Sequence, residues 1–470
     1  MSPLYPAVTG VLVLLSHLFG LELYFGALNV VLASLSLFVC TSARPIFTFV
    51  SSFVFLVSVK NSPSIPASSD YLLALPGVAV VFAAGALFLS AVIYFTVKNK
   101  LWRAVTEKGI GTPLLLPLAV LSLGFAMNGA FSGEWSFGSL IFGLCEALCF
   151  FLLFMLLYLG IGEDSRDDII SSFVYSSAVG AAVLIAELSA CYFTVFDGTK
   201  ESVLLGWGIW NTAGVALAVL IPVCFLGFYR KSREGKTLHA WLYFALGVIT
   251  FASAVLSQSR NALLVGALAL FAVFVIFTFI GRYKTLFRIV IGAGLFTAVL
   301  GSALFFDKLV PVARGFLYDN GRFELWRSGI RNFLEAPIFG KGFFGIKFAE
   351  ETFVTADFLP TMAHNTVVQL LAGMGVFGFL CYAFYRGSTV IPFVKHPTAD
   401  KTFIGISVLV LLLESLLDNF IFYFLPTLQY TVALAVVFAV FDREREEEKN
   451  GKTNETPDMG DEIQEPETAL

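Results

Sequence analysis

The chain has 470 residues, of which 57% are hydrophobic, 15% aromatic and 14% charged, and its mean hydropathy is +0.83. These values exclude a soluble globular domain and imply an integral membrane protein. The net charge of -4 traces largely to an acidic terminal tail, and no basic, aromatic-interleaved patch points to nucleic acid as a partner.

The N-terminus lacks a basic n-region and a small-residue cleavage site, so it reads as a retained first helix. Apolar runs of bilayer-spanning length, roughly 17 to 25 residues each, follow near 4–20, 22–40, 44–60, 71–97, 112–130, 136–160, 169–195, 203–228, 238–256, 261–280, 286–305, 363–385, 402–422 and 426–441. The expected fold is all-α and polytopic, a single domain over 1–441 with about 12 to 14 transmembrane helices. Six cysteines lie inside these runs without a CxxC pair and read as small buried hydrophobes.

Orientation follows from basic residues in short connections, which are held on the cytoplasmic side. "KNKLWRAVTEK" at 98–108, "YRKSREGK" at 229–236, "GRYKTLFR" at 281–288, "RGSTVIPFVKHPTADK" at 386–401 and "DREREEEK" at 442–449 all fall on one face. The other face then carries "FSGEW" at 131–135, "SQSRN" at 257–261 and a long extracytoplasmic loop at 307–362. That loop balances seven basic against seven acidic residues, so its arginines do not oppose translocation. The polar, Pro-containing stretch 442–470 reads as a disordered acidic cytoplasmic tail.

Four features on the outer face stand out. Arg260 breaks the positive-inside pattern by sitting in a very short outer loop, where an arginine either snorkels to headgroups or serves a site. Within the long loop, Phe323, Trp326, Ile330 and Phe333 recur at helical spacing until Pro337, predicting an amphipathic helix that lies on the membrane or covers the bundle. Glu324, Arg327, Arg331 and Glu335 occupy its polar sides, with Arg331 and Glu335 spaced to pair, while Arg322 stands in the first turn, where the helix dipole gives a cation nothing. "GKGFFG" at 340–345 follows no strand and reads as a tight turn that brings backbone close to a ligand, not a nucleotide fingerprint.

His364, followed by Asn365 and Gln369, opens the run at 363–385. Histidine suits a general base that takes a proton from a hydroxyl, although a lone one is more often an interfacial core residue. The other three, His17, His239 and His396, lie in other segments and make no metal pair with it. Gly373, Gly375 and Gly378 would let this helix pack closely.

These segments together resemble the O-antigen ligase and O-antigen polymerase family of polytopic glycosyltransferases. The resemblance rests on "GWGIWNTAGVALAVLIP" at 206–222, "SQSRNALLVG" at 257–266, "GRFELWRSGIRNFLEAPIFGKGF" at 321–343 and "AHNTVVQLLAGMGVFGFL" at 363–380, in the family's order and on one face. It implies a cytoplasmic-membrane transferase working on the extracytoplasmic side. The implied donor is a glycan on undecaprenyl diphosphate and the implied acceptor a hydroxyl of a glycan, lipid or protein, with membrane lipids as surroundings and no cofactor or metal. The family's catalytic residues carry over onto Arg260, Arg322 and His364, with Asn211, Asn365 and Arg327 as substrate-binding residues; at Asn211 the family's preceding proline is Trp210 here. The chemistry agrees, since a leaving diphosphate needs a metal or cations, and guanidinium forks bind phosphate oxygens bidentately. A transporter or flippase of a lipid-linked sugar or small solute is the alternative, for which Glu187 and Glu414 inside spans are the residues to watch, while Asp418 and Asn419 near the outer end of 402–422 could line the same cavity.

Overall fold

The computed structural model describes residues 4–19, 22–48, 77–132, 135–194, 210–304, 321–346, 363–419 and 424–454. Among them every regular element is helical, the solution that closes all backbone hydrogen bonds where lipid supplies no partner. In chain order the helices are α1 (Leu4–Phe19), α2 (Glu22–Val39), α3 (Gly77–Lys98), α4 (Leu101–Lys108), α5 (Leu115–Ala126), α6 (Phe137–Gly160), α7 (Arg166–Thr194), α8 (Trp210–Arg233), α9 (Thr237–Leu256), α10 (Arg260–Phe279), α11 (Lys284–Leu304), α12 (Arg322–Glu335), α13 (Thr366–Lys395), α14 (Ala399–Glu414) and α15 (Phe424–Asn454).

Every apolar run read from the sequence carries one of these helices, except 44–60, which lies mostly outside the described residues. Seven helices among the described residues are long and apolar enough to cross a membrane, and four shorter apolar helical stretches accompany them. The chain is an all-α, multi-pass membrane protein. Of the long loop only 321–346 is described, and it contains the expected helix, α12.

The bundle is built around α8. The apolar window of α8 is wholly buried, whereas those of α3 and α11 are 11% and 6% buried and face outward. Glycines let α8 and α9 approach: a Cβ at Gly227 would stand 2.5 Å from the Tyr243 ring, and one at Gly247 2.7 Å from the Phe225 ring. Phe225 and Phe228 then seed an aromatic cluster with Phe244, Phe277 and Phe287. Edge-to-face and stacked contacts of this kind supply attraction that lipid tails cannot, since burying apolar surface from lipid gains little.

One end of the bundle is tied by ion pairs. Asp400, at the start of α14, accepts from Arg166 at 3.0 Å and from Arg230 at 3.1 Å. Lys401, 1% exposed, pairs with Glu444, and Arg44 bridges Asp164 and Asp168 at 3.2 Å each. Arg230, Asp400, Lys401 and Glu444 belong to connections read from the sequence as lying on one face.

Two sequence expectations change at this end. The stretch 442–470, read as a disordered tail, is helical as far as Asn454, because α15 continues unbroken out of the bundle. Glu444 pairing with Lys401 and Arg443 donating to the Asp164 carbonyl at 3.2 Å hold it there; 455–470 lie outside the described residues. The run 386–401, read as a loop, is mostly helix, since α13 extends to Lys395. Arg386 accordingly sits among the rings of Tyr382, Tyr385 and Tyr430, 4.2 Å from the last, where cation–π attraction offsets its burial.

At the opposite end α13 is broken. Gly375 takes φ 64° and ψ -165°, a conformation open only to glycine. The segment 337–342 fills the break: Lys341 and Gly342 donate to the carbonyls of Ala372 and Gly373 at 2.8 and 2.9 Å. Val376 and Phe377 donate in turn to Pro337 and Ile338 at 2.8 and 3.0 Å. The tight turn expected at "GKGFFG" is present, but what it approaches is the backbone of α13: a Cβ at Gly340 would lie 2.3 Å from the Gly373 carbonyl carbon. Gly375, expected to ease helix packing, instead opens the helix to receive this loop.

Two stability predictions follow from these joints. Gly375→Ala should cost about 1–3 kcal/mol from backbone strain alone, read as a lower midpoint in thermal unfolding of the detergent-solubilised protein. Lys401→Met, which leaves Glu444 buried without its cation, should destabilise by about 3–5 kcal/mol, while Lys401→Met combined with Glu444→Met should recover most of the loss in the same assay.

Candidate functional site

The broken end of α13 gathers the polar residues. His364 precedes the helix with φ 51°, a left-handed conformation that is strained for a side chain of this size and is held in place by its neighbours. Asn365 caps the helix, its side chain accepting from the Val368 amide at 3.0 Å. The segment after α14 takes its donors: the Asn365 amide donates to Asn419 Oδ1 at 2.7 Å and its Nδ2 to the Leu416 carbonyl at 2.8 Å. Its polar groups therefore serve to fix the turn that presents His364.

Segment 414–419, "ESLLDN", is the hub. Asp418, 3% exposed at its side chain, places Oδ1 2.9 Å from His364 Nδ1, and the imidazole keeps 27% exposure. Asn419 Nδ2 donates to Gln369 Oε1 at 3.1 Å, and that oxygen also accepts from the Ala363 amide at 2.7 Å. The Thr366 amide donates to the Ser415 carbonyl at 2.9 Å. A cluster closed in this way is rigid, because each buried polar atom moved would forfeit its partner.

Arg322 opens α12 and donates through Nη1 to the Leu417 carbonyl at 2.6 Å. The sequence left this guanidinium without a partner at the start of its own helix; the structure gives it the open carbonyls at the end of another, α14, where a cation is favoured. α12 meets the bundle through Leu325, Ser328, Gly329 and Asn332, and of its apolar stripe Phe323 and Ile330 are 64% and 50% exposed while Trp326 and Phe333 are half-buried. Glu335 pairs with Lys341 instead of Arg331, because the loop after the helix doubles back beside it. Arg327 lies on the exposed charged side, bound to Glu324 at 3.1 Å, and is not among the side chains tied to the hub.

Arg260 opens α10 after a tight turn in which Gln258 is left-handed, and Ser259 caps the helix by accepting from the Ala262 amide at 3.3 Å. Ser257 and Ala262 press on Gly214, whose Cβ would stand 2.4 Å from Ser257 Oγ. Gly214 lies one turn after Asn211 on α8, so the starts of α8 and α10 form one corner. α10 also packs along α14, which ends in Glu414, and the Asn261 amide faces that carboxyl. Arg260, Arg322 and His364 thus stand on three helix starts around the C-terminal end of α14.

Sequence reading noted Asp418 and Asn419 as possible cavity residues but missed their work, the orientation of His364 and Asn365. Their signal was available as two polar side chains after an apolar run, without anything local to name their partner some fifty residues earlier. Lys341, Gly340 and Asn128 were missed as scaffolding; Asn128, fully buried, accepts from the Phe343 amide at 3.2 Å and steadies the loop in the broken helix.

Residues 245–383 match the family model described as O-Antigen ligase, and none of the curated proteins compared matches the chain. The matched segment contains Arg260, Arg322, Arg327, His364 and Asn365, together with the broken helix and the loop that fills it. By its helices the chain is a multi-pass membrane protein, and its segment 245–383 is similar to the O-Antigen ligase domain.

Proposed function

We propose that the protein transfers an oligo- or polysaccharide from an undecaprenyl-diphosphate carrier to an acceptor hydroxyl at the outer face of the cytoplasmic membrane, in cell-surface polysaccharide biosynthesis. The observation that carries this reading is the 2.9 Å contact between His364 Nδ1 and Asp418 Oδ1 beside a partly exposed imidazole. With Nδ1–H donating to Asp418, the imidazole offers Nε2 as the base, and the carboxylate stabilises the imidazolium that forms.

The step is a single displacement. The acceptor oxygen attacks the anomeric carbon as its proton passes to His364 Nε2. The bond to the diphosphate oxygen breaks, and undecaprenyl diphosphate leaves with the electron pair. Attack opposite the leaving group inverts the anomeric centre. Charge gathers on the diphosphate, which Arg260 and Arg322 meet from two helix starts, where guanidinium forks fit phosphate oxygens without a metal. Asn211, at the same corner as Arg260, lines the donor side. The exposed Phe323 and Ile330 of α12 support a position at the membrane surface, where a lipid-borne donor and an aqueous acceptor meet. The basic connections at the other end of the bundle support an extracytoplasmic site.

Transfer from a lipid-linked donor by purified, normally inserted variants tests the roles. His364→Ala should lower kcat by about 10²–10⁴-fold, and full retention of activity would overturn the general-base role. Arg260→Lys and Arg322→Lys should each impair transfer nearly as much as the alanine changes, because an ammonium cannot reproduce a bidentate fork. Asp418→Asn should leave the protein folded and lower transfer, since an amide does not hold and stabilise the imidazolium that forms as a carboxylate does.

A further inference from the structure

The ion-paired end of the bundle holds one group of cations that its acids do not reach. Arg233 ends α8, while Arg282, Lys284 and Arg288 belong to the turn from α10 into α11. All four are exposed, and among the described residues none of them makes an ion pair. By contrast Arg44, Arg166, Arg230, Lys401 and Arg443 at the same end each pair with an acid. Glu234, the acid beside Arg233, is taken by Lys231 and Lys236 at 2.8 and 2.9 Å. From 235 to 306 the sequence holds no Asp or Glu, so nothing on α9, α10 or α11 neutralises the group.

Aromatic packing gathers these cations. The Arg233 guanidinium lies 5.7 Å from the Tyr229 ring, and Tyr229 packs on the turn, where a Cβ at Gly281 would stand 3.8 Å from that ring. Tyr283 stacks on Phe228 with centroids 5.7 Å apart, which anchors the residues on either side of it, Arg282 and Lys284. Arg288 donates from Nε to the Thr278 carbonyl at 3.1 Å and closes the turn. Along the helix that follows, the surface is apolar: the spanning window of α11 is 6% buried, and Leu286, Ile289 and Val290 in its first turns are exposed. A partner for this corner has to be anionic at the turn and apolar along α11. A free phosphate or an acidic protein meets the first requirement alone, whereas an anionic phospholipid meets both. Guanidinium forks fit phosphate oxygens, and basic clusters beside spanning helices attract acidic lipids.

We propose that Arg233, Arg282, Lys284 and Arg288 form a binding site for the headgroup of an anionic phospholipid in the leaflet at the ion-paired end, with its acyl chains lying along α11. The site is separate from the transfer chemistry, since Arg260 opens α10 at the opposite end of that helix. The lipid supplies the counter-charge that this corner lacks and braces α11 against α10.

Native mass spectrometry of the full chain in uncharged detergent, incubated with equal amounts of phosphatidylglycerol and phosphatidylcholine, reads which lipid stays bound. The wild type should favour phosphatidylglycerol, and Arg282→Gln combined with Lys284→Gln should weaken that preference by about 25-fold, or roughly fivefold per cation. Lys100→Gln combined with Arg103→Gln removes two exposed cations from the corner of α3 and α4 and should keep the preference; an equal loss there would make it a property of net charge and overturn the site. No preference in the wild type overturns the proposal without recourse to any variant, and so does an unchanged preference in the Arg282, Lys284 pair. Inorganic phosphate in excess should leave the lipid bound, and its release by phosphate would show a simple anion site and overturn the lipid assignment.

Discussion

The need to satisfy every backbone amide and carbonyl away from water governs this molecule. A helix meets it alone, but α13 breaks at Gly375, and the groups freed by the break have to find partners within the protein. They find them in segment 337–342, which pairs backbone to backbone with both halves of the helix. That exchange fixes the loop carrying α12 to the helix that follows His364. Arg322 and His364, 42 residues apart in the chain, therefore belong to one rigid piece.

The second fixed point is the end of α14. Its open carbonyls receive Arg322 and Asn365, its Asp418 receives His364, and its Asn419 holds Asn365 and Gln369. A helix C-terminus is electronegative by construction, so it suits a site crowded with donors. The opposite end of the same helix is locked by Asp400 and Lys401 into ion pairs with α7, α8 and α15. α14 is thus a strut with a structural end and a chemical end. Loss of its buried pairs would reach the site through its position, without touching a reacting group.

Pre-organisation links these features to chemistry. Displacement at an anomeric carbon needs a base and an anion clamp held about a substrate that is itself tethered in lipid, and holding reactants in register removes much of the entropic part of the barrier. In the proposed reaction, His364 in its left-handed turn and the two arginines at helix starts would provide such a frame.

The positions of the helices were legible in the sequence because a membrane demands long apolar runs, and nearly all of those runs carry helices. The basic connections were legible as well, as charge runs between the apolar stretches. Arg260, Arg322 and His364 could be singled out because each offends a local rule: a cation in a short outer loop, a cation at a helix start, a histidine at the lip of a span. Local rules could not say that Asn365 is spent on a cap, that Arg331 loses Glu335 to Lys341, or that the glycines of "GKGFFG" approach a helix. Those outcomes depend on which backbone atoms are left open and which distant groups reach them. Sequence by itself determined the helical runs, the two polar ends and the suspicious residues, because these follow from composition and spacing. Tertiary structure alone decided that Asp418 stands behind His364 and that a broken helix binds the loop of Arg322, because hydrogen bonds between residues far apart in the chain form only once the bundle has packed.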